Sequence, residues 1–481
     1  MSQQAEKNSP GILSDFHHLI DGKLVDSGTR LEVINPATGR VFANCPTASK
    51  QQLDEAVTAA RRACKTWQQT RYADRAALLA QLAEKLELEQ DNLGELLTRE
   101  QGKPLSQAKA EIGRGGGQLN GLSRIAVPEE VLVDNDQVHI ELHYRPLGVV
   151  GIITPWNAPI NLALGPIASA LYTGNTIILK PSPYTPLTTL KLGELMRDIF
   201  PAGVVNVLAG GDELGEWMSG HPHINKISFT GSVETGKKVM ASAAGTLKRI
   251  TLELGGNDPA IVLDDVDPVD VAKKLFFACT VNSGQVCMAV KRIYAHEKIH
   301  DALCRALQEE AQAAVVGDGM NANTQLGPIQ NKMQYDKIVG FLEDTHKTGA
   351  RFLAGGDVPQ GDGYYIPPAL VTGLSDSDRL VREEQFGPLI PVLKFSDIDD
   401  VISRANDSDY GLCGSVWTSD LEKGTELATR LEVGTAWVNQ HRATLPSVPF
   451  GGAKQSGLGR QYSLLGLLGY MEPQVISVLK V

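Results

Sequence analysis

The sequence predicts an α/β fold with two parallel-sheet domains, and three observations support this prediction. The chain has 481 residues, too many for one hydrophobic core. Five apolar runs rich in Val and Ile read "VVGII", "TIIL", "VVNVL", "ISF" and "ITLEL", and they begin at residues 149, 176, 204, 227 and 250. The intervals between them have room for a helix and its turns. Strands that alternate with helices form a parallel sheet that is covered on both faces.

The segment "TPLTTLKLGELMRDIFPAG" contains the clearest of the helices between these runs. Thr185 stands where it can cap the first turn, and Pro186 fits that turn because its fixed φ suits a helix start. Pro201 and Gly203 end the pattern. We therefore predict one helix here, with Thr185 as its cap.

The second half of the chain repeats the alternation and predicts a second α/β domain. Asp267 and Pro268 begin a helix that leads into "NSGQVCMAV". After it we predict helices from about 297, a longer one from about 329 and one from about 397, with strands "AVKRIYAH", "PLIPVLKF", "GLCGSVWT" and "GTAWVNQ".

A small β element is predicted apart from the two domains. In "VHIELHY", Val138, Ile140 and Leu142 alternate with polar residues, which indicates a half-exposed strand after the turn-like "VDNDQ". The tail "PQVISVLKV" is also strand-like. Exposed strands invite pairing with another chain, so a subunit contact is expected, although an ordinary edge strand has the same pattern.

Composition and charge exclude several classes of protein. The formal net charge is −11 and no Lys/Arg cluster is present, which argues against a nucleic-acid partner. No apolar run approaches the roughly 18 residues of a membrane span, and the N-terminus has no secretory leader pattern, so a cytoplasmic protein is expected. The six cysteines include no C-x-x-C pair, so neither a disulfide framework nor a metal site is expected.

Three residues are candidates for catalysis, and each also has an ordinary structural interpretation. Cys287 is either a nucleophile or an inert buried thiol. Glu253 ends an apolar strand, where a carboxyl group tends to have a raised pKa and can act as a general base, but a strand-end carboxylate that faces water is the commoner case. Asn157, held between Pro155 and Pro159, is either an oxyanion donor or a turn residue.

The polar segments of the chain, taken together and in order, resemble the aldehyde dehydrogenase superfamily. The matching segments are "PWNAP", "KPSPYTP", "FTGS", "ELGGNDP", "GQVC", "EEQFGP" and "PFGGAKQSGLGR", and they run from residue 155 to residue 460. The resemblance implies a variant Rossmann-like cofactor domain at 1–124 and 145–252 and a catalytic domain at 253–455. It also implies an oligomerisation β element at 125–144 and 465–481, and hence a homodimer or homotetramer.

The same resemblance implies a mechanism and a cofactor. The Cys287 thiolate attacks a small-molecule aldehyde, Asn157 and the Cys287 N–H hold the oxyanion, hydride leaves for the nicotinamide, and Glu253 activates the water that hydrolyses the thioester. The cofactor residues that it implies are Trp156, Lys180, Ser182, Gly211, Phe229, Ser232, Gly255, Glu384 and Phe386.

Three departures from the family's pattern limit these expectations. Pro183 stands three residues after Lys180, where members that prefer NAD often have Glu, so the choice of cofactor is open. We favour NAD, and NADP or dual use also stays open. Gln461 follows "GLGR" where Glu is usual. The glycines of "GRGGG" at 113–117 should weaken an otherwise helical segment.

The substrate tunnel is expected to be wide. Many relatives that take small aldehydes have aromatic residues at the positions of Ala158 and Gly165, and the neighbours of the cysteine are apolar. We therefore predict a medium or bulky hydrophobic aldehyde, aromatic aldehydes included, although His441 and Arg442 could favour a polar or acidic tail. The residues expected to line the tunnel are Ala158, Leu162, Gly165, Val286, Met288, Thr444 and Phe450.

Three other functions stay open at this point. A CoA-acylating or semialdehyde dehydrogenase passes its thioester to CoA and needs no base, so Glu253 favours hydrolysis. A catalytically silent binding or structural relative would be free to lose Cys287, Glu253 or Asn157. A plain cysteine hydrolase would not need Lys180, "FTGS" and Glu384.

Overall fold

A computed structural model describes residues 15–480. The strands are β1 (His18–Ile20), β2 (Lys23–Val25), β3 (Arg30–Asn35), β4 (Arg40–Pro46), β5 (Glu130–Asp134), β6 (Val138–Pro146), β7 (Val149–Ile153), β8 (Thr176–Lys180), β9 (Val205–Val207), β10 (Lys226–Thr230), β11 (Arg249–Glu253), β12 (Asp258–Val262), β13 (Val290–His296), β14 (Arg351–Ala354), β15 (Ala369–Thr372), β16 (Leu389–Phe395), β17 (Tyr410–Gly411), β18 (Cys413–Trp417), β19 (Thr435–Val438), β20 (Ala453–Lys454), β21 (Gly457–Leu458) and β22 (Met471–Leu479). The predictions about the N-terminal leader and the limits at residues 1 and 481 lie outside the described residues.

The helices surround these strands. They are α1 (Lys50–Trp67), α2 (Tyr72–Leu88), α3 (Gln90–Gln101), α4 (Leu105–Leu122), α5 (Asn161–Tyr172), α6 (Leu187–Arg197), α7 (Asp212–Gly220), α8 (Val233–Ala244), α9 (Pro268–Thr280), α10 (Glu297–Ala313), α11 (Lys332–Lys347), α12 (Arg379–Arg382), α13 (Ile398–Asn406), α14 (Leu421–Thr429) and α15 (Ser463–Leu468).

The first sheet contains all five of the predicted apolar runs. Its order is β2-β1-β9-β8-β7-β10-β11-β21, and the run from β9 to β11 is parallel. Every residue of β7, β8 and β10 is buried, as expected for strands covered by helices on both faces. The sequence patterns did not indicate the antiparallel edge strands β1, β2 and β21.

The predicted helix after β8 is present, but its predicted cap is wrong. The N-cap residue is Pro186, and the Thr185 hydroxyl donates to the carbonyl of Trp156 instead, at 3.4 Å. The first free N–H groups, those of Leu187 and Thr188, donate to the buried Glu100 carboxylate at 2.8 and 2.9 Å. A carboxylate from α3 therefore replaces the local cap, and it also suits the positive end of the helix dipole.

The "GRGGG" segment does not interrupt its helix, because α4 runs through it from Leu105 to Leu122. A Cβ on Gly115 would overlap the Leu164 side chain of α5, so this glycine permits a close helix crossing. Packing therefore outweighs the low helix propensity of glycine here.

The second sheet has the order β14-β15-β16-β13-β12-β18-β19 and is parallel from β15 to β19. Asp267 caps α9 as predicted, accepting from the N–H of Val269 at 2.8 Å. Helix α11 begins at Lys332 rather than at 329, and with 16 residues it is not longer than α10, which has 17. The two sheets confirm the predicted α/β architecture.

The predicted β element forms a separate antiparallel sheet in the order β22-β6-β5. Strand β22 pairs with β6 over its whole length, from Met471 opposite Pro146 to Leu479 opposite Val138. Strand β5 includes the start of the segment predicted as a turn. None of the helices within residues 15–480 combines the length and apolar character needed to cross a bilayer.

Candidate active site

The register of the first sheet brings several predicted site residues to one edge. Ile153 is opposite both Lys180 and Phe229, and Thr230 is opposite Glu253. These positions are the carboxyl ends of parallel strands, where ligands bind in open α/β sheets. Asn157 follows β7 and Ser232 follows β10 at the same edge.

The second sheet contributes from the opposite ends of its strands. Gly255 precedes β12, Cys287 precedes β13, and the segment from Glu384 to Phe386 precedes β16. The amino ends of the second sheet therefore meet the carboxyl ends of the first. The order of the strands along the chain does not indicate that the two sheets meet in this way, so this contact is not predictable from the sequence patterns.

The backbone before the cysteine has a left-handed turn of three residues. Asn282, Ser283 and Gly284 have φ of 52°, 55° and 74°. Two non-glycine residues in this region are strained, and such strain collects at functional sites. A Cβ on Gly284 would overlap the carbonyl of Gly387, so glycine is required there.

Hydrogen bonds from buried side chains hold this turn against the Asn157 loop. Asn282 Nδ2 donates to the Asn157 carbonyl at 3.0 Å, and Asn157 Nδ2 donates to the Gln285 carbonyl at 2.9 Å. The Ser283 hydroxyl donates to the carbonyl of Gly327 at 2.7 Å. The two segments are thus fixed relative to each other, and one N–H of the Asn157 amide is left for another acceptor.

Cys287 is half-buried and lines a cavity. Burial raises the pKa of its thiol to about 12, while the charge of Lys291 acts in the opposite direction. Lys291 Nζ donates to the Cys287 carbonyl at 2.6 Å and lies 3.4 Å from Glu384 Oε1. Lys291, which sequence reasoning missed, therefore links the cysteine loop to the Glu384 segment.

Glu253 is buried, and neither of its carboxylate oxygens has a hydrogen-bond partner among the described residues. Burial raises its pKa well above the ordinary carboxyl value, against the smaller effect of the Arg460 charge. Unpaired buried carboxyl groups are costly and are typical of functional sites. The carboxyl group therefore keeps its proton to a higher pH than an ordinary carboxyl group does, as expected for a group that exchanges protons in a site.

The two glycines after Glu253 allow three segments to approach one another. A Cβ on Gly255 would overlap the Glu384 carboxylate. A Cβ on Gly256 would lie 2.7 Å from the Cys287 carbonyl oxygen. The Gly256 N–H also donates to Glu384 Oε1 at 3.1 Å. These contacts explain physically why both positions carry no side chain.

The remaining predicted cofactor residues border the same edge. Burial lowers the pKa of Lys180 to about 8, and its amine has one hydrogen bond, to the Pro181 carbonyl at 3.3 Å. Ser182 is buried close to Lys180 in the chain. The rings of Trp156 and Phe386 meet edge to face at 5.4 Å.

Two helix starts complete this group of residues. Gly211 caps α7, and a Cβ there would meet no atom within 4 Å. The space in front of this helix start is therefore open to a ligand. Ser232 caps α8, and its hydroxyl is occupied by Thr235, so the free N–H groups of the first turn are the donors left for an anion. Phe229 is buried beneath this turn, with its ring against Gly231.

A cavity of about 700 Å³ opens beside Cys287 and Asn157. Of the predicted substrate residues, Ala158, Leu162, Val286, Met288 and Thr444 line it. Gly165 and Phe450 do not. Gly165 faces the Tyr462 ring, to which a Cβ would come within 2.9 Å, and Phe450 packs against the same ring, with centroids 6.4 Å apart. Tyr462 therefore fills the space expected beside Gly165.

A buried ion pair between Lys103 and Glu111 also borders the cavity and was not foreseen. Lys103 Nζ donates to the Asn157 carbonyl at 2.9 Å. Glu111 Oε1 accepts from the N–H groups of Ile160 and Asn161 at 3.0 and 3.2 Å. The pair thus caps α5 and supports the Asn157 loop. Gln461 is buried with its Nε2 unpartnered, and nothing in the structure explains the replacement of the usual Glu.

The sequence and the structure both resemble those of known aldehyde dehydrogenases. The model of the aldehyde dehydrogenase family matches residues 24–476. Over 467 residues the chain is 39% identical to aldehyde dehydrogenase LUC3 of Fusarium sp, covering 97% of this chain and 99% of that protein. It is 38% identical to retinaldehyde dehydrogenase 3 of Homo sapiens, covering 94% and 90%. The crystal structure of betaine aldehyde dehydrogenase from Staphylococcus aureus in complex with NAD+ matches with a TM-score of 0.94 and 33% identity, covering 97% and 95%.

Proposed function

The chain belongs to the aldehyde dehydrogenase family, and from this premise we propose that it oxidises medium or bulky hydrophobic aldehydes, aromatic ones included, to carboxylic acids. The observation that carries the proposal is the cavity of about 700 Å³ beside Cys287, a volume typical of sites for small organic ligands. Leu162, Val286 and Met288 give it an apolar wall close to the thiol.

Cys287 is the nucleophile in this proposal. As thiolate it adds to the aldehyde carbon, and the charge that develops on oxygen is stabilised by the free N–H of the Asn157 amide and by the Cys287 backbone N–H. Burial raises the pKa of the thiol, and the Lys291 charge acts against this and favours the thiolate. The left-handed turn keeps Asn157 and Cys287 in fixed relative positions.

Glu253 is the general base for hydrolysis of the thioester. Its buried carboxyl group has no hydrogen-bond partner among the described residues and therefore can accept a proton from water. The proton passes to Glu253, the hydroxide oxygen bonds to the acyl carbon, and the Cys287 sulfur leaves with the electron pair of the C–S bond. The product is the carboxylic acid, and the thiolate is regenerated.

NAD is the cofactor that the site fits. The spare donors of Lys180 suit ribose hydroxyl groups, the first turn of α8 suits a pyrophosphate, and Glu384 suits the second ribose. When bound, the oxidised nicotinamide supplies the two-electron acceptor that converts the covalent adduct into a thioester. The NAD+ complex of the Staphylococcus aureus relative supports this choice, and Pro183, which offers no acceptor to a ribose 2′-hydroxyl, leaves NADP as a second cofactor.

We also propose an assembly and a location. The cofactor domain at 1–124 and 145–252 and the catalytic domain at 253–455 would each centre on one of the two large sheets. The segments 125–144 and 465–481 would join subunits into a homodimer or homotetramer, a role supported by the exposed apolar residues of the three-stranded sheet. All six cysteines are free thiols, which supports a reducing compartment such as the cytoplasm.

The test is the appearance of reduced cofactor, followed by absorbance, with NAD and with NADP across aldehydes of increasing size. We expect kcat/KM to be higher for benzaldehyde-like or long-chain aldehydes than for acetaldehyde, and Cys287→Ala to lower turnover to background. Turnover that survives this substitution would contradict the nucleophile assignment. A product that forms only with added CoA would establish the acylating branch instead.

A further inference from the structure

Two arginine side chains line the substrate cavity without a partner of opposite charge. Arg114 belongs to α4 and Arg442 to the loop after β19, and both border the cavity that contains Cys287. Neither forms an ion pair or a side-chain hydrogen bond within residues 15–480. Arg114 is exposed and water can solvate its charge, but Arg442 is partly buried, so its unpaired charge requires an explanation.

Arg442 lies at the cavity wall, partly buried. Its Nε is buried without a hydrogen-bond partner, and its guanidinium lies 5.6 Å from the centre of the Phe277 ring. The backbone there has a φ of 71°, a left-handed conformation that is costly for a non-glycine residue. Burial first, and then the charge of Arg114, lower the pKa of the Arg442 guanidinium to about 10, so the two cations lie within electrostatic reach of each other.

His441, the neighbour of Arg442, borders the same cavity and helps to anchor this loop. The His441 side chain is fully buried, its Nδ1 lies 2.9 Å from the Ser415 hydroxyl, and its ring lies 4.8 Å from that of Trp437. Trp437 Nε1 donates to the Ala443 carbonyl at 3.1 Å. His441 Nε2 has no hydrogen-bond partner among residues 15–480 but lies 3.6 Å from Asp258 Oδ2, whereas Arg442 forms no ion pair there.

Arg114 lies on the face of α4 that forms one side of the cavity. Ala110, Arg114, Gly117 and Gln118 follow one another at helical spacing, and all of them border the cavity. A Cβ on Gly117 would meet no atom within 4 Å, so the space next to the arginine is open. The other four residues of "GRGGG" at 113–117 are glycines, so Arg114 is the only long side chain in that stretch.

The acidic residue of the cavity cannot neutralise these arginines. Glu111 is the one carboxylate among the lining residues described, and it is already paired with Lys103 and bonded to the first N–H groups of α5. A guanidinium offers several N–H donors in a planar fork, which matches the two oxygens of a carboxylate. An anionic ligand is therefore the partner that the cavity lacks.

We propose that the substrate is an aldehyde that carries a carboxylate at the end remote from the reacting carbon, and that Arg114 and Arg442 bind this carboxylate while the aldehyde group reaches Cys287. The inference rests on the proposed aldehyde dehydrogenase activity and refines its substrate class. The apolar wall between the two ends selects a hydrophobic or aromatic skeleton.

The test compares two aldehydes with the same skeleton but different charge, 4-carboxybenzaldehyde and its neutral methyl ester, by kcat/KM with NAD. We expect the intact enzyme to prefer the carboxylate by about tenfold or more, as charge-assisted hydrogen bonds give. Arg442→Met and Arg114→Met should each lower the carboxylate-to-ester preference by about tenfold, mainly through KM. Arg442→Lys should keep part of the preference because it keeps the charge.

The matched control is Arg61→Met, which removes the same charge from an exposed position on α1 outside the cavity and should leave the preference unchanged. Equal or better use of the ester by the intact enzyme would overturn the proposal. So would Arg442→Met and Arg114→Met variants that lose the same factor on both aldehydes, because that result indicates a structural role. Failure to oxidise either aldehyde would instead contradict the proposed function.

Discussion

At the scale of single residues, Glu253 determines the pH dependence that we expect. Burial raises its pKa, and a base acts only when ionised, so thioester hydrolysis should slow as pH falls through this raised pKa. Glu253→Gln should lower steady-state turnover by on the order of 10²- to 10⁴-fold while the initial burst of reduced cofactor remains. Stopped-flow absorbance from pH 6 to pH 9, with exposed Glu309→Gln on α10 as control, measures both phases. A burst lost together with turnover would assign Glu253 to the first step instead.

The identities of the reacting residues are predictable from sequence, but their supports are not. Cys287, Glu253 and Asn157 stand in short motifs that the resemblance recognises, and the structure brings Cys287 and Asn157 together at one cavity. Lys291 and Lys103 act through carbonyl groups that become neighbours only after folding. Nothing in the local pattern distinguishes these two buried lysines from surface ones.

At the scale of elements, helix α6 depends on a cap that lies 87 residues away in the chain. Glu100→Ala leaves the N–H groups of Leu187 and Thr188 without acceptors, and we expect the free energy of unfolding to fall by about 2 kcal/mol. Glu95→Ala, on the same helix α3, removes only a partly exposed pair with Arg99 and should change it by less than about 0.5 kcal/mol. Chemical denaturation measures both variants, and a loss for Glu100→Ala as small as that for Glu95→Ala would contradict the role of Glu100 as the cap.

Local patterns therefore predict where a helix lies better than how it is stabilised. The strands of the first sheet and the cap at Asp267 are predictable from the sequence, because apolar runs and N-cap residues act within a few positions along the chain. The Glu100 cap and the Gly115 crossing depend on contacts between α3 and α6 and between α4 and α5. Tertiary packing overrides local propensity at such contacts, which is why local patterns predict Thr185 as the cap and predict that the glycines weaken the helix.

At the scale of the whole molecule, the site arises where the carboxyl edge of one sheet meets the amino edge of the other. The sequence pattern predicts the first edge, because loops after parallel strands bind ligands. It cannot predict the second, because the amino ends of β12, β13 and β16 become functional only through docking of the two sheets. Cys287 is thus recognisable from its motif, while its approach to Glu253, whose charge acts on the pKa of the thiol, is a property of the tertiary structure.

The outer surface of the three-stranded sheet carries the last prediction. Its exposed apolar residues are Val131, Leu132, Val133, Val475, Ile476, Val478 and Leu479. They lie on β5 and β22, the two edge strands of this sheet, and exposed apolar residues on edge strands are expected to be covered by another subunit. Leu479→Asp should therefore shift the protein to smaller species in sedimentation velocity, because a charge would be buried in the contact. Leu421→Asp is the matched control, since Leu421 on α14 is 65% exposed against 69% for Leu479. An unchanged sedimentation profile for Leu479→Asp would place the subunit contact elsewhere.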